Sequence, residues 1–585
     1  MCIINASCLR IKVAIASIIW GIIAMAFIPS EVQAQVIPDP ADTRPPQPEI
    51  TPPPDTIPAP LPTPLDIPDI QPLPEPQTPL VDEIIVREYR FEGNTVFSDA
   101  ELAALLTDYL NRPLSFIELR NVPNVITNYY IEQGYITSGA FLPGNINIGQ
   151  ADAAVVTIQV LEGTIDEIQV QVDGKLQPGY VESRVRLATN PILNQQRLLD
   201  GLRLLQLNPL IDSLSAELSA GVEPGTNILE IKIVEANPWN MEITGNNGRS
   251  PSVGSFRRGT SLSHQNFLGI GDRVSFNYDN TDGSNAINAS YTVPINPRNG
   301  TVSFSYGSSF SQIIDPTFER LDIETYSRYF QLSLRQPIYQ TSNQEFALSF
   351  TASHSDSQST LLDIPFPLAP GADSGGRTRV TALRFGQEWT QQNANQVFAI
   401  RSQLSLGIDA LDSTINSDAP DSNFFSWRGQ TQWVRLLGTP TGTPALAPTL
   451  ILRGDLQFGD RPLLPVEQFG IGGLGSVKGY RQDQLLTDNG IFASAEVRVP
   501  VFRVPEWNLG AQIIPFIDFG TGWNSGNSET PSPNTLVSVG LGLQIIQSQN
   551  FSARLDWGVP LVSLSSSNQT WQENGIYFSV QFKPF

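Results

Sequence analysis

Cysteine and histidine are almost absent from this chain of 585 residues. The only cysteines, Cys2 and Cys8, lie close to the N-terminus, and the only histidines are His264 and His354. A disulfide scaffold, a zinc cluster and thiol catalysis are therefore excluded. Since no paired histidine is available as a base, we expect no catalytic residues, no metal site and no cofactor, and thus a protein that is not an enzyme.

Positive charge is also scarce, because 35 Lys and Arg residues face 57 Asp and Glu residues and the formal net charge is −22. Nucleic acids and anionic membrane surfaces attract basic proteins, so this balance argues against either as a partner. Long apolar runs are missing too. No stretch after Ile28 is apolar for 18 residues, and the sequence beyond it offers no candidate for a membrane-spanning helix.

The first apolar run, residues 13–28, is typical of an export signal. Basic residues precede it, and small residues follow up to a cleavage site between Ala34 and Gln35. The run is too short for a membrane anchor, which needs about 20 apolar residues, so we expect a signal peptide over 1–34. Proline is frequent in 35–81, which predicts an extended, solvated linker.

Two small α/β modules of similar plan are predicted next, over 82–162 and 163–237. In the first, Ser98 and Ser115 are each followed three residues later by glutamate, which is the capping-box pattern that starts a helix. The second repeats the order of strand, helix and closing strand. A mixed sheet covered by helices on one face leaves an edge strand that a partner can pair with, although a simple spacer remains the alternative.

From residue 238 onward the hydrophobic pattern has period two. Apolar residues such as Val302, Phe304 and Tyr306 alternate with Ser, Asn, Gln and Thr, and Gly, Pro, Asn and Asp separate the segments. In an exported chain this is typical of a transmembrane barrel, whose closure satisfies every backbone group in lipid. We predict an all-β barrel of about 16 antiparallel strands over 238–585. A soluble secreted β-sandwich or solenoid is the alternative.

A glycine-dense segment from Asp460 to Asn489 interrupts the alternation. Its Gly470, Gly472 and Gly475 spell a dinucleotide-binding motif, but the βαβ unit that gives this motif its meaning is missing. Strand parity places the segment on the external side, where it either packs on itself or folds back into the lumen. By the same parity Asp518 points into the lumen, where a loop lysine could bind it, although a solvated Asp518 is equally compatible.

Two short motifs in this region resemble the paired signatures of the outer-membrane protein-translocating barrels. They are Val477-Lys478-Gly479-Tyr480 and Phe516-x-Asp518-x-Gly520. Residues 266–273 are similar to the first hairpin of those barrels. The stretches 202–211 and 223–226 are similar to the second periplasmic module of two-partner secretion transporters of the haemolysin-activator type. The resemblance covers roughly residues 84–585 and implies two POTRA modules followed by a 16-stranded barrel.

The resemblance implies a transporter in the outer membrane of a Gram-negative-type envelope, with its POTRA modules in the periplasm. These modules would capture a large secreted β-helical cargo protein, and the barrel would export it without nucleotide hydrolysis. Val477–Tyr480 would be the tip of a lumenal loop and Asp518 its partner on the barrel wall. Outer-membrane lipid and the barrel-assembly machinery would be further partners, with the C-terminal Phe585 as the assembly signal.

The sequence departs from the family in two places. Lys478 stands where the family usually has arginine, which removes the bidentate geometry of a guanidinium. The proline-rich linker cannot supply the plug helix that many members carry. Two other classes stay open: a barrel-assembly insertase, which typically carries more POTRA modules, and a passive porin, which needs neither modules nor an inward loop.

Overall fold

The computed structural model describes residues 83–143, 154–417, 420–438, 447–564 and 570–584. The predicted cleavage site at Ala34 and Gln35, the linker over 35–81 and the terminal Phe585 lie outside the described residues. Within the part described, no helix is long and apolar enough to cross a membrane.

The first module is a four-stranded sheet with two α-helices. Its elements are β1 (Glu83–Glu92), α1 (Asp99–Leu105), β2 (Pro113–Ser115), α2 (Phe116–Glu132), β3 (Gly139–Phe141) and β4 (Ala154–Leu161). The sheet order is β2-β1-β4-β3, with β1 parallel to β4. Both predicted capping boxes form, since the carboxylates of Glu101 and Glu118 each accept a 2.8 Å hydrogen bond from the serine N–H three residues earlier.

The second module is a three-stranded sheet with two α-helices. Its elements are β5 (Thr164–Asp173), α3 (Pro178–Thr189), α4 (Gln195–Gln206), β6 (Ile211–Ala220) and β7 (Thr226–Glu235). The sheet order is β5-β7-β6, so the closing strand β7 lies in the centre. Strand β5 runs parallel to β7, and β6 runs antiparallel to it. Leucines at helical spacing, Leu198, Leu202 and Leu205, bury α4 against this sheet.

Sixteen antiparallel strands of the described chain then close into a barrel. They are β8 (Trp239–Asn246), β9 (Arg257–Gln265), β10 (Arg273–Asn280), β11 (Ser284–Pro294), β12 (Thr301–Gln312), β13 (Ile323–Gln340), β14 (Gln344–Leu361), β16 (Arg377–Asn393), β17 (Gln396–Ile408), β18 (Phe425–Leu436), β19 (Thr449–Gly459), β22 (Asn489–Val504), β23 (Leu509–Trp523), β24 (Thr535–Gln547), β25 (Phe551–Pro560) and β26 (Ile576–Phe582). A two-residue strand, β15 (Ile364–Pro365), folds back on β14. The predicted fold class is confirmed.

The alternation of side chains explains why this sequence forms a barrel. Phe304 and Leu332 are among many apolar side chains that remain about half exposed on the outer face, as expected of a surface that faces lipid. Their neighbours along the strands point inward and are mostly small and polar. Ser275 and Ser290 share a 2.7 Å hydrogen bond across β10 and β11. The lumen is therefore polar while the outer wall is apolar.

The second module docks on the turn between β9 and β10, which is the hairpin singled out by the resemblance. The N–H of Gln177 donates to the carbonyl of Gly269 at 2.8 Å. Gly271 leaves room for the ring of Tyr180, because a Cβ there would lie 2.4 Å from Cε2 of that ring. Nε of Arg184 donates to Oδ1 of Asn299 at 3.0 Å. The module is thus attached to the barrel by more than the covalent link.

Candidate functional site

The segment between β19 and β22 folds back into the lumen and packs on the inner wall. Two short strands, β20 (Phe469–Ile471) and β21 (Leu485–Thr487), pair as an antiparallel ribbon that carries the tip of this inward loop. The tip includes Val477, Lys478 and Tyr480, all at most 4% exposed. Of the two arrangements that the sequence left open, the structure has the one in which the loop folds inward.

Lys478 and Asp518 meet as a buried ion pair between the tip and β23. Nζ of Lys478 lies 2.9 Å from Oδ2 of Asp518, and both side chains are almost fully buried. The main-chain N–H of Lys478 donates to the same carboxylate at 3.2 Å, and the hydroxyl of Ser494 on β22 donates to Oδ1 at 2.6 Å. The carboxylate therefore has three donors, which is what a charge buried away from water requires.

Phe516 provides a second contact for the lysine. Its ring centroid lies 4.0 Å from Nζ, within the range of a cation–π interaction. Phe516 and Asp518 point inward, whereas Ile517 is exposed on the outer face, as the alternation along β23 predicts. Gly540 on β24 leaves space for the phenyl ring, since a Cβ there would lie 2.2 Å from Cζ.

Glycines on the wall allow the loop to approach closely. At Gly520 a Cβ would lie 2.4 Å from Cγ2 of Ile471 in the loop. At Gly558 on β25 a Cβ would lie 2.8 Å from the main-chain N of Gly479. Gly479 itself has φ of +98°, a region that favours glycine. The glycines of both motifs thus serve the contact between loop and wall, and sequence reasoning did not assign that role to Gly558.

Two tyrosines complete the hydrogen bonds around the tip. The hydroxyl of Tyr480 contacts the carbonyls of Val537 and Val562 at 2.8 and 3.0 Å. The hydroxyl of Tyr577 on β26 accepts from the N–H of Gly479 at 3.0 Å and donates to the carbonyl of Tyr480. Sequence reasoning missed Tyr577. The only available signal was its inward position in the alternation of β26.

A separate anchor holds the base of the inward loop on the other side of the barrel. Glu467 forms a 2.6 Å ion pair with Arg384 on β16, and both side chains are mostly buried. The guanidinium of Arg428 on β18 lies 5.1 Å from the ring centroid of Phe469. The loop is therefore fastened to two parts of the wall, at the tip and at the base, and the sequence predicted only the first.

The glycines of the dinucleotide-like motif belong to the ribbon and the tip. In the described stretch 447–564, β21 is followed directly by β22, with no helix that could offer its N-terminus to a phosphate. No group of three or more His, Cys, Asp or Glu side chains within the described residues could hold a metal ion. The geometry at this site is that of a docked loop.

A methyl group added at Gly558 is expected to displace the tip. Gly558→Ala places Cβ against the backbone of Lys478 and Gly479, which cannot move aside as a flexible side chain would. Gly475→Ala is the matched control, because nothing lies within 4 Å of its Cβ position. The measurement is labelling of Val477→Cys by a membrane-impermeant maleimide, after Cys2 and Cys8 are replaced. Labelling should accelerate at least about tenfold with Gly558→Ala. Equal rates in both backgrounds would contradict the proposed tight packing.

The sequence of the chain matches the models of two protein families. The family described as haemolysin secretion/activation protein ShlB/FhaC/HecB matches residues 225–545, and the ShlB-type POTRA domain matches residues 84–163. The outer membrane transporter CdiB of Dickeya dadantii (strain 3937) is 22% identical over an alignment of 439 residues that covers 72% of this chain and 73% of that protein. The heme/hemopexin transporter protein HuxB of Haemophilus influenzae is 22% identical over an alignment of 491 residues that covers 80% of this chain and 83% of that protein.

Solved structures give the same fold. CdiB from Escherichia coli superposes with a TM-score of 0.62 at 20% identity, covering 87% of this chain and 92% of that chain. CdiB from Acinetobacter baumannii superposes with a TM-score of 0.59 at 18% identity, covering 89% and 94%.

Proposed function

This chain belongs to the family of haemolysin secretion/activation proteins (ShlB/FhaC/HecB), and on that premise we propose that it exports one large secreted partner protein through its barrel. The protein is an outer-membrane transporter with its POTRA region in the periplasm. The observation that carries the proposal is the inward loop, which the buried Lys478–Asp518 pair holds against the wall of the lumen and which is proposed to move when the cargo passes. Export proceeds without nucleotide hydrolysis, as the resemblance implies.

The proposal includes a division of the chain into five parts. These are a signal peptide over 1–34, a linker over 35–81, POTRA modules over 82–162 and 163–237, and the barrel over 238–585. The signal is cleaved between Ala34 and Gln35, and Phe585 is read by the barrel-assembly machinery during insertion.

Capture of the cargo is proposed to occur on an open sheet edge in the second module. Within the described residues, β6 pairs with β7 on one side and with no strand on the other. It is ten residues long, as is β5 on the opposite edge of the same sheet, whereas the edge strands of the first module, β2 and β3, have three residues each. An unfolded cargo segment has unpaired backbone groups and can add to such an edge as a further strand. Ser213, Ser215 and Ser219 are small residues exposed on one face of β6, so they do not obstruct an added strand on that face.

Proline substitution in β6 tests capture by strand pairing. Along an edge strand, successive N–H groups alternate between the neighbouring strand and the open side. The N–H groups of Ser215 and Ala216 therefore point to opposite sides of β6. Of Ser215→Pro and Ala216→Pro, the variant that removes the N–H bonded to β7 should unfold the module, and the other should leave it folded but without a donor on the open edge. The folded variant should bind cargo at least about tenfold more weakly, as judged by pull-down with the full-length transporter. Undiminished binding by a folded proline variant would place capture elsewhere.

The overall proposal is tested by secretion in a Gram-negative host. The full chain is produced together with a candidate cargo, the large protein rich in short β repeats that an adjacent reading frame is expected to encode. Cargo should appear in the medium only when the transporter is present. Passage of small solutes without any cargo protein would instead favour a passive porin, and loss of other barrel proteins from the membrane on deletion would favour an insertase.

A further inference from the structure

The barrel is closed by its shortest ladder. Among the described strands, β26 and β8 are joined over four residue pairs, from Ser579–Asn246 to Phe582–Ile243. On the external side the β25–β26 ladder continues to Ile576, three residues beyond the last β26 residue of the seam. The β8–β9 ladder ends at Asn246, as the seam does, and continues instead on the periplasmic side to Trp239. On that side of this seam, the N–H of Asn247 makes one further backbone hydrogen bond, to the carbonyl of Phe578 at 3.3 Å, and side chains supply further bonds.

Asn247 extends the seam with its side-chain amide. Its Nδ2 donates to the carbonyl of Ile576 at 2.8 Å, and its Oδ1 accepts from the N–H of Phe578 at 2.8 Å. The side-chain amide of Asn247 thus donates one hydrogen bond to β26 and accepts one from it, as the backbone of a residue in a neighbouring strand would. Asn247 is 2% exposed, so these bonds are made away from water.

Gln572 joins this seam to the inward loop. Its Nε2 donates to the carbonyl of Asn247 and, at 2.7 Å, to the carbonyl of Arg249. Its Oε1 accepts from the N–H of Gln482 in the loop at 2.9 Å. The side chain is fully buried, and its donor and acceptor groups bond to two different parts of the molecule. Tyr577, five residues later, connects β26 to the tip at Gly479.

We propose that Asn247 and Gln572 form a clasp that couples the docking of the inward loop to closure of the barrel at the β8–β26 seam. If the loop leaves, Oε1 of Gln572 loses its partner in a buried position, and a buried unpaired acceptor is costly. The amide then reorients or takes up water, and its bonds to the carbonyls of Asn247 and Arg249 weaken. Both residues are positioning residues, and the coupling holds whatever the cargo is.

Hydrogen–deuterium exchange on the full-length protein in detergent tests the clasp. In Gln572→Ala, amides of β8, β26 and the tip around Gly479 are expected to exchange about tenfold faster, while the β12–β13 ladder keeps its rate. The control is Gln403→Ala, because within the described residues Nε2 of Gln403 bonds to its own strand, to Ser405 at 3.3 Å. The β8–β26 seam of this variant should exchange at the wild-type rate. Faster exchange of the tip with an unchanged seam, or equal acceleration of all strands, would overturn the proposal.

The coupling is also tested from the loop side. Since linkage is reciprocal, Lys478→Ala should accelerate exchange at the seam as well as at the tip, although Lys478 does not touch β8. A seam protected as in wild type would refute the coupling.

If Gln572→Ala fails to assemble, Gln572→Glu serves instead, because it retains Oε1 for Gln482 but loses the donors to the two carbonyls. Faster exchange of the seam is again required, and its absence would overturn the clasp.

Discussion

Lys478→Ala and Asp518→Ala are each expected to cut secretion of the partner protein at least about tenfold, while the barrel still inserts and remains heat-modifiable. Removing one member of a buried ion pair leaves the other charge without compensation, which typically costs about 3–5 kcal/mol. That cost falls on the docked loop, since the wall strands keep their own hydrogen bonds. The measurement is cargo in the medium, with membrane-inserted transporter as the reference.

A double mutant distinguishes loss of the pair from separate damage at each residue. If the pair acts as a unit, Lys478→Ala with Asp518→Ala should secrete no less than either single variant. Arg461→Ala is the control, because its 3.2 Å ion pair with Asp460 in the same segment is substantially exposed and exposed pairs contribute little. Wild-type secretion by both single variants would refute the role of the pair.

Exchanging the two charges should restore only part of the export. The Coulombic attraction survives in Lys478→Asp with Asp518→Lys. However, the hydroxyl of Ser494 and the main-chain N–H of residue 478 are donors directed at a carboxylate on β23. A lysine at 518 cannot accept from either of them. Full restoration of export would mean that these two hydrogen bonds do not contribute to export.

The barrel could be predicted because the physics of lipid imposes a local pattern. Lipid-facing positions must be apolar and lumenal positions need not be, so each strand carries its own evidence, as Phe304 between Ser303 and Ser305 illustrates. The prediction of the two modules was less complete, because the sequence pattern did not indicate helix α3 of the second module. Helix α3 presents only Val181, Val185 and Thr189 to the core, and β-branched residues are weak helix formers.

The contacts of the site depend on register and closure, which no local pattern specifies. The inward direction of Asp518 follows from its apolar neighbours, but Ser494 and Tyr577 reach the tip only because β22 and β26 lie at particular heights beside β23 and β25. The roles of the glycines were equally hard to predict from the sequence. A glycine in a strand pattern predicts a bulge or a close approach without naming what approaches, and for Gly558 the structure identifies the loop backbone.

Deletion of residues 84–162 is expected to stop export while the barrel still inserts, because the second module, whose β6 is proposed to capture the cargo, loses the contacts that the first module makes to it. The first module has its own core, centred on residues such as Leu119 and Ile126. Its described hydrogen bonds to the second module include those of Gly163 N–H to Oγ of Ser138 at 2.9 Å and of Gln195 N–H to the carbonyl of Gly134 at 2.9 Å. The remaining chain keeps the alternating strands that direct insertion. Cargo should therefore accumulate in the periplasm, as detected by fractionation.

Salt dependence of cargo binding decides what kind of contact the modules make. Raising the ionic strength from about 0.1 to 1 M shortens the Debye length from about 10 to 3 Å, which screens exposed charges but not main-chain hydrogen bonds. If capture is strand pairing, the full-length transporter should bind the cargo's N-terminal region almost equally at both concentrations. Binding at low salt alone would assign capture to the few Lys and Arg residues of this acidic chain. No binding at either concentration would reduce the modules to spacers, and the barrel would then be better explained as a passive pore.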